Sequence, residues 1–347
     1  MRGKVLNLLN EPLIRVRRSG GAAIERVNLP ELLVLLADDA VAGFPALRAH
    51  QRFAWHAFLV QLAAIALHRA GRTEPPASAE AWAVLLRALT PDHPDDAPWC
   101  LVAPHDRAAL LQAPAAGEAL EWFGRSQPAI ETPDGLEQAV LPLMSRNHDM
   151  KNSCVIDSEA DDWLFSLVNV QTMSSYSIKY PGVVRMGSGT GTRTCFTVRP
   201  PGGFGAWFMR DVRSLATMPR DARPGLVWLE PWTGKETISI QDLHPLFIEI
   251  CRQIRLVIGN HRIAALQRAD AQPRVGDKAT RDRVRGVVDD PWLPIEIGSR
   301  NQRASRDLPT AIAVRGSGLS YALVVKVLDP ALVKLASPEN SRGAGGR

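Results

Sequence analysis

Apolar positions recur along this chain with different periods, and each period predicts a type of element. Between residues 4 and 28, short apolar and polar alternations flank Ser19, Gly20 and Gly21, which predicts strands joined by a turn. Leu29-Pro30-Glu31 opens a short helix, because proline fits the first helical turn. From Ala46 to Ala70 the chain is apolar nearly all round, interrupted at His56 and Gln61, and Gly71 closes the run. A helix with no polar face belongs at the centre of a helical layer. A further helix is predicted over 78–89. Residues 90–117, rich in Pro, Asp and Ala, predict a loop with one short helix.

In the second half, Trp163, Leu164, Leu167, Val168 and Val170 have helical spacing. Glu159, Asp161 and Asp162 suit the positive end of that helix. A glycine-rich loop follows over 180–193, then a predicted strand at 194–198. Pro200-Pro201-Gly202-Gly203 marks a sharp turn before a short helix at 210–217. Residues 243–258 are apolar, and periodicity alone does not separate strand from helix there. Polar, arginine-rich sequence runs on to Gly286, and Pro291-Trp292-Leu293-Pro294 fixes an extended segment. Apolar residues at 295–297 and 311–314 then predict two strands around a polar tip at 298–310. The sum is an α+β protein: one large, loop-rich mixed globule over residues 1–336 with a protruding β-hairpin at about 295–314. The polar tail 337–347 is expected to be disordered.

Charge and cysteines narrow the classes. The 347 residues are 46% hydrophobic and carry a formal charge of +5, which permits an acidic partner without requiring one. Arginines crowd into 252–306, with Arg281, Arg283 and Arg285 at alternate positions. Cys100, Cys154, Cys195 and Cys251 lie far apart with no CxxC, so neither zinc-site spacing nor a disulfide framework is present, and reduced, mostly buried thiols are expected. Val5–Asn10 is too short and polar for a secretory core, and no apolar run reaches membrane-spanning length. The expectation is a cytoplasmic protein with no membrane contact.

The densest candidate chemistry is Arg185-Met186-Gly187-Ser188-Gly189-Thr190-Gly191-Thr192-Arg193. Three glycines at alternate positions let backbone approach a ligand closely, and flanking arginines suit phosphate. The loop lacks the Gly-Lys-Ser/Thr ending of a P-loop and the spacing of a dinucleotide fingerprint. No HExxH or Gly-x-Ser-x-Gly is present, and His148-Asp149 lacks the further ligands of a metal-dependent phosphohydrolase. His56, on the apolar helix, reads as a satisfied core residue. No catalytic set, metal or cofactor is expected.

Several segments together resemble the CasA large subunit of the type I-E CRISPR surveillance complex, Cascade. Leu6-Asn7-Leu8-Leu9-Asn10-Glu11-Pro12-Leu13-Ile14-Arg15-Val16 is similar to the family's opening, with Pro12-Leu13-Ile14 where Trp-Ile-Pro is usual. Asn147–Lys151 and Asp162–Thr172 resemble one branch of the family. Ile178–Arg193 lies where the family keeps a glycine-rich loop. Val284–Pro294 resembles its second-domain segment, and Ser299–Ser305 its Asn-Gln-bearing hairpin.

The resemblance implies a non-catalytic subunit that checks double-stranded DNA for a short flanking motif, the PAM, from the minor groove. It then wedges the duplex open for guide RNA pairing. Backbone at Gly187, Gly189 and Gly191 suits a groove about 6 Å wide. Arg185 and Arg193 would hold phosphates, and Lys278 falls near a lysine that reaches the motif. Asn301, Gln302 and Arg303 are the wedge candidates. An ungapped match puts Gln302 and Arg303 on the family's Asn-Gln pair, and a one-residue slip puts Asn301 and Gln302 there. Unstacking costs a few kcal/mol per step, to be offset by phosphate contacts from Arg281, Arg283, Arg285, Arg300, Arg303 and Arg306. Lys151, Asn152 and Ser153 are candidates for docking on neighbouring subunits near the guide's 5′ end. Implied partners are target DNA, guide-loaded Cascade backbone subunits and a helicase-nuclease or attached nuclease. The family usually continues into a C-terminal helical bundle, which a separate protein would supply here unless the complex works without it. Two other readings stay open: a nucleotide- or phosphate-binding enzyme using the glycine loop, and a subunit that only caps the assembly.

Overall fold

The computed structural model describes residues 6–125, 129, 131, 158–173, 202–259, 262–269, 271–272 and 274–275, with the short strands 296–297 and 314–315. Three antiparallel strands open the fold: β1 (Ile14–Arg18), β2 (Ile24–Val27) and β3 (Val41–Gly43), in the order β2-β1-β3. Ile14 and Val16 alternate into the core and are fully buried. The β1–β2 turn uses Gly20 at φ +79°, a conformation glycine adopts without strain. Helix α1 (Leu29–Ala37) starts at Asn28, whose side chain accepts from the Glu31 amide while the Glu31 carboxylate accepts from the Asn28 amide, both at 2.9 Å.

Helix α2 (Arg52–Arg69) is the central post, with every residue from Ala54 to His68 buried. A 3₁₀ turn at Ala49–Gln51 precedes it, so the helix begins six residues later than the apolar pattern predicts. Against it pack α5 (Ala160–Met173) and α6 (Phe204–Ala216), while α3 (Ala79–Arg87) leans on α1 and α4 (Gly117–Phe123) on the strand at Arg262–Ala269. The remaining strands are β4 (Gln253–Gly259) and β5 (Arg262–Ala269), which form an antiparallel hairpin, and the short pair β6 (Glu296–Ile297) and β7 (Val314–Arg315).

Three sequence expectations change. Helix α6 begins at Phe204, not Arg210, directly after a turn whose Gly202 has φ +117°. Of the ambiguous 243–258 run only 253–258 is strand, within β4. A 3₁₀ turn at Ile240–Asp242 precedes the run, and over 243–252 an irregular, buried chain carries Leu246, Phe247, Ile248 and Ile250 into the core. Strand β5 lies in sequence expected to be merely polar. Its alanines and arginines favour helix locally, and pairing with the apolar β4 overrides that preference. Of the strands expected at 295–297 and 311–314, only 296–297 and 314 lie among the described residues; there Glu296 pairs with Arg315 and Ile297 with Val314, antiparallel. Among the described residues no helix is long and apolar enough to cross a membrane.

Candidate nucleic-acid interface

The candidates Arg185, Gly187, Gly189, Gly191, Arg193, Lys278, Asn301, Gln302, Arg303, Lys151, Asn152 and Ser153 all lie outside the described residues. So do the predicted strand at 194–198 and the tail at 337–347. The structure defines the framework from which these segments leave and to which they return.

Residues 132–157, which carry Lys151–Ser153, lead into helix α5. Arg15 on β1 holds that helix start. Its guanidinium donates to Asp161 at 2.7 Å and Asp162 at 2.8 Å, and its backbone amide donates to Asp161 at 3.0 Å. Glu159 pairs with both Arg15 and Arg26. Burial pushes the Asp161 carboxyl up from its ordinary range, and the Arg15 donations oppose that shift. Hydrogen bonding to Asp161, with Asp162 and Glu159 nearby, holds the Arg15 guanidinium firmly protonated.

The glycine-rich segment, 174–201, runs from the end of α5 to the start of α6. At its start, the buried Gln171 side chain uses both donors and both acceptor lone pairs. Nε2 donates to the Leu111 and Arg252 carbonyls at 2.7 and 3.0 Å. Oε1 accepts from the Cys251 and Arg252 amides at 3.0 and 2.9 Å. At its end, Gly203 has no side chain to cap α6, and Asp39 from the α1–β3 turn takes that role. Its carboxylate accepts from Gly203 N at 3.2 Å and Ala206 N at 2.9 Å, across more than 160 positions of sequence. Beneath both ends lies an aromatic cluster: Trp55 meets Phe165 at 4.9 Å between ring centroids, and Phe44 meets Phe204 at 5.1 Å.

The β4–β5 hairpin precedes the arginine-rich stretch and β6. Among the described residues β4 has a strand partner on one side only. Its other edge is closed by glutamines: Gln112 Oε1 accepts from the Leu256 amide at 2.8 Å, just as Gln171 accepts ahead of the strand. Arg255 is buried among carbonyls, donating to Pro104 and His105 at 2.6 Å and to Gln112 at 3.2 Å. Burial pushes its guanidinium down to about 10, so it remains charged at neutral pH.

His56 Nε2 lies 2.7 Å from Asp211 of α6, and its ring stacks on Trp207 at 3.5 Å. It is a satisfied core residue, as the sequence suggests. Cys100 and Cys251 are buried thiols, not joined in a disulfide with each other, and burial pushes Cys100 up to about 12. Sequence reasoning missed Asp39, Gln112, Gln171 and Arg255. Gln171 does leave a signal: it lies four residues after Leu167 and seven after Leu164, on the apolar stripe of α5, where a polar residue needs buried partners.

These features define a mixed α+β scaffold of packed helices and small antiparallel sheets. Its fold is that of the Cascade large subunit CasA. CasA (Cse1) of Thermus thermophilus superposes with a TM-score of 0.51 at 14% identity, over 83% of this chain and 55% of that one. A second structure from Thermus thermophilus, of a CRISPR-associated protein, gives 0.49 at 14% identity, over 83% and 55% of the two chains. Cse1 of Thermobifida fusca gives 0.43 at 15%, over 77% and 52%. This chain therefore spans about half the length of these structures, and the fold assignment rests on the first. No family model matches the sequence, and no curated protein matches it.

Proposed function

We propose that the chain is a non-catalytic large subunit of a Cascade-type CRISPR complex that senses the PAM in double-stranded DNA and helps open the duplex. The observation that carries this reading is the CasA-like fold over 83% of the chain. The order of the resembling sequence segments supports it. The flanks of the glycine-rich segment are fixed, by Gln171 near the end of α5 and by Asp39 capping the start of α6, which supports a recognition loop carried on a scaffold. Gly187, Gly189 and Gly191 enter the minor groove through backbone, where A·T and G·C pairs differ by one donor. Arg185, Arg193 and Lys278 hold phosphate or groove edges. Asn301, Gln302 and Arg303 insert at the first opened pair, amides replacing base-pair hydrogen bonds and the guanidinium stacking on an exposed base. Lys151, Asn152 and Ser153 face the guide-bearing subunits.

The test is a double replacement, Gln302→Ala with Arg303→Ala, in guide-loaded complex. Target binding is expected to lose its dependence on the flanking motif, and duplex opening to slow. Unchanged motif preference together with unchanged opening would reject the wedge assignment.

A further inference from the structure

The candidate segments for motif reading are the glycine-rich stretch after α5 and the arginine-rich stretch and hairpin after β5. Near the end of α5, a buried side chain reaches the backbone just ahead of β4, the strand that pairs with β5. Gln171 is fully buried, two residues from the end of α5, and it binds the backbone at 251–252, immediately before β4. Two acceptances and one donation join it to that dipeptide, and the Cys251 thiol adds a fourth link by donating to the Gln171 carbonyl at 2.8 Å. Its other donation reaches Leu111, next to the Gln112 that closes the edge of β4. Every polar valence of the amide is spent. No other residue type of this length offers two donors and an acceptor on one planar head, so the geometry is specific to glutamine.

We infer that Gln171 is a positioning residue that fixes where the glycine-rich segment departs relative to the β4–β5 hairpin, and so sets motif discrimination. The inference rests on the PAM-sensing reading above. Phosphate contacts tolerate small displacements because they carry no sequence information. Groove reading by backbone does not, since productive geometry has to hold to about 0.5 Å. Loosening Gln171 therefore lowers discrimination while leaving sequence-independent affinity in place.

Two variants of matched length separate the contributions. Gln171→Met removes all four side-chain hydrogen bonds. Gln171→Glu keeps acceptors for the Cys251 and Arg252 amides and removes the donations to the two carbonyls. Full-length chains are assembled into guide-loaded complex at one ionic strength. Each is titrated with a target bearing the motif the wild-type chain prefers and with the same target carrying a scrambled motif. The ratio of the two affinities is expected to fall about tenfold for Gln171→Met and less for Gln171→Glu. Affinity for the scrambled target and its salt dependence should hold. Amide exchange at Cys251 and Arg252 should accelerate in Gln171→Met.

A wild-type complex with no motif preference rejects the PAM-sensing reading, and this inference with it. A wild-type preference that survives unchanged in folded variants overturns this inference alone. If Gln171→Met does not fold, Gln171→Glu decides. If neither folds, Gln171 is only structural and the assignment is overturned.

Discussion

His68 of α2 and His244 lie 3.2 Å apart in the core, and their tautomers follow from the neighbouring backbone. The Leu246 amide donates to His244 Nδ1, so the His244 proton sits on Nε2 and points at His68 Nδ1. His68 then carries its own proton on Nε2 and donates to the Leu215 carbonyl at 3.0 Å. Both rings are neutral in this chain of bonds. Burial lowers the His68 pKa from its ordinary 6.5, with the Leu215 carbonyl opposing. Burial, helped by Arg255, lowers that of His105. A histidine whose folded pKa is depressed binds fewer protons than in the unfolded chain. Its stabilisation is therefore whole above pH 6.5 and is lost as pH falls through that value toward the folded pKa. The melting temperature should drop between pH 7.5 and 5.5, and His68→Gln should flatten the profile. A wild-type profile flat across that interval would contradict the tautomer assignment.

At the scale of elements, α1 and the turn after it pack closely on the start of α6. Gly205 lies in the first turn of α6, where a Cβ would sit 2.4 Å from the Leu36 carbonyl oxygen and 2.6 Å from the Asp39 Cα. Replacing a helical glycine by alanine ordinarily stabilises by about 0.5–1 kcal/mol. Here the collision is with backbone, so the sign reverses, and Gly205→Ala should cost about 1–3 kcal/mol. Asp39→Ala removes the cap across the same junction and should cost about 1–2 kcal/mol, with added strain because residue 39 has φ +50°. Urea unfolding of both variants measures these costs, and a Gly205→Ala chain as stable as wild type would contradict the packing described.

Much of this level is legible in the sequence. The all-apolar α2, the capped α1 and the acidic start of α5 declare themselves through periodicity and local chemistry. Irregular backbone at 243–252 does not, because it pairs with distant partners: the side chains of Gln61 and Gln171, more than 70 residues away, and the backbone at 224–227. Nor does β5, whose composition points to helix until β4 is beside it. The candidate residues were legible only as motifs in order. Gln171, Asp39 and Arg15, which tie down the described flanks of those segments, depend on contacts between distant parts of the chain that no local pattern encodes.

For the whole molecule, the fold supplies a rigid post, α2, with two helices bracketing one polar segment and a hairpin leading to another. A net charge of +5 is modest, so under the proposed function DNA affinity is expected to depend on the assembled complex and to fall with salt in proportion to its phosphate contacts. The measurement that tests the central claim most directly is a titration of guide-loaded complex, with and without this chain, at one fixed salt concentration. The DNA carries a matched target and a systematic library of flanking motifs. The account predicts that adding the chain creates a preference among flanking motifs. Equal binding across the library, or a chain that never joins the complex, would contradict it.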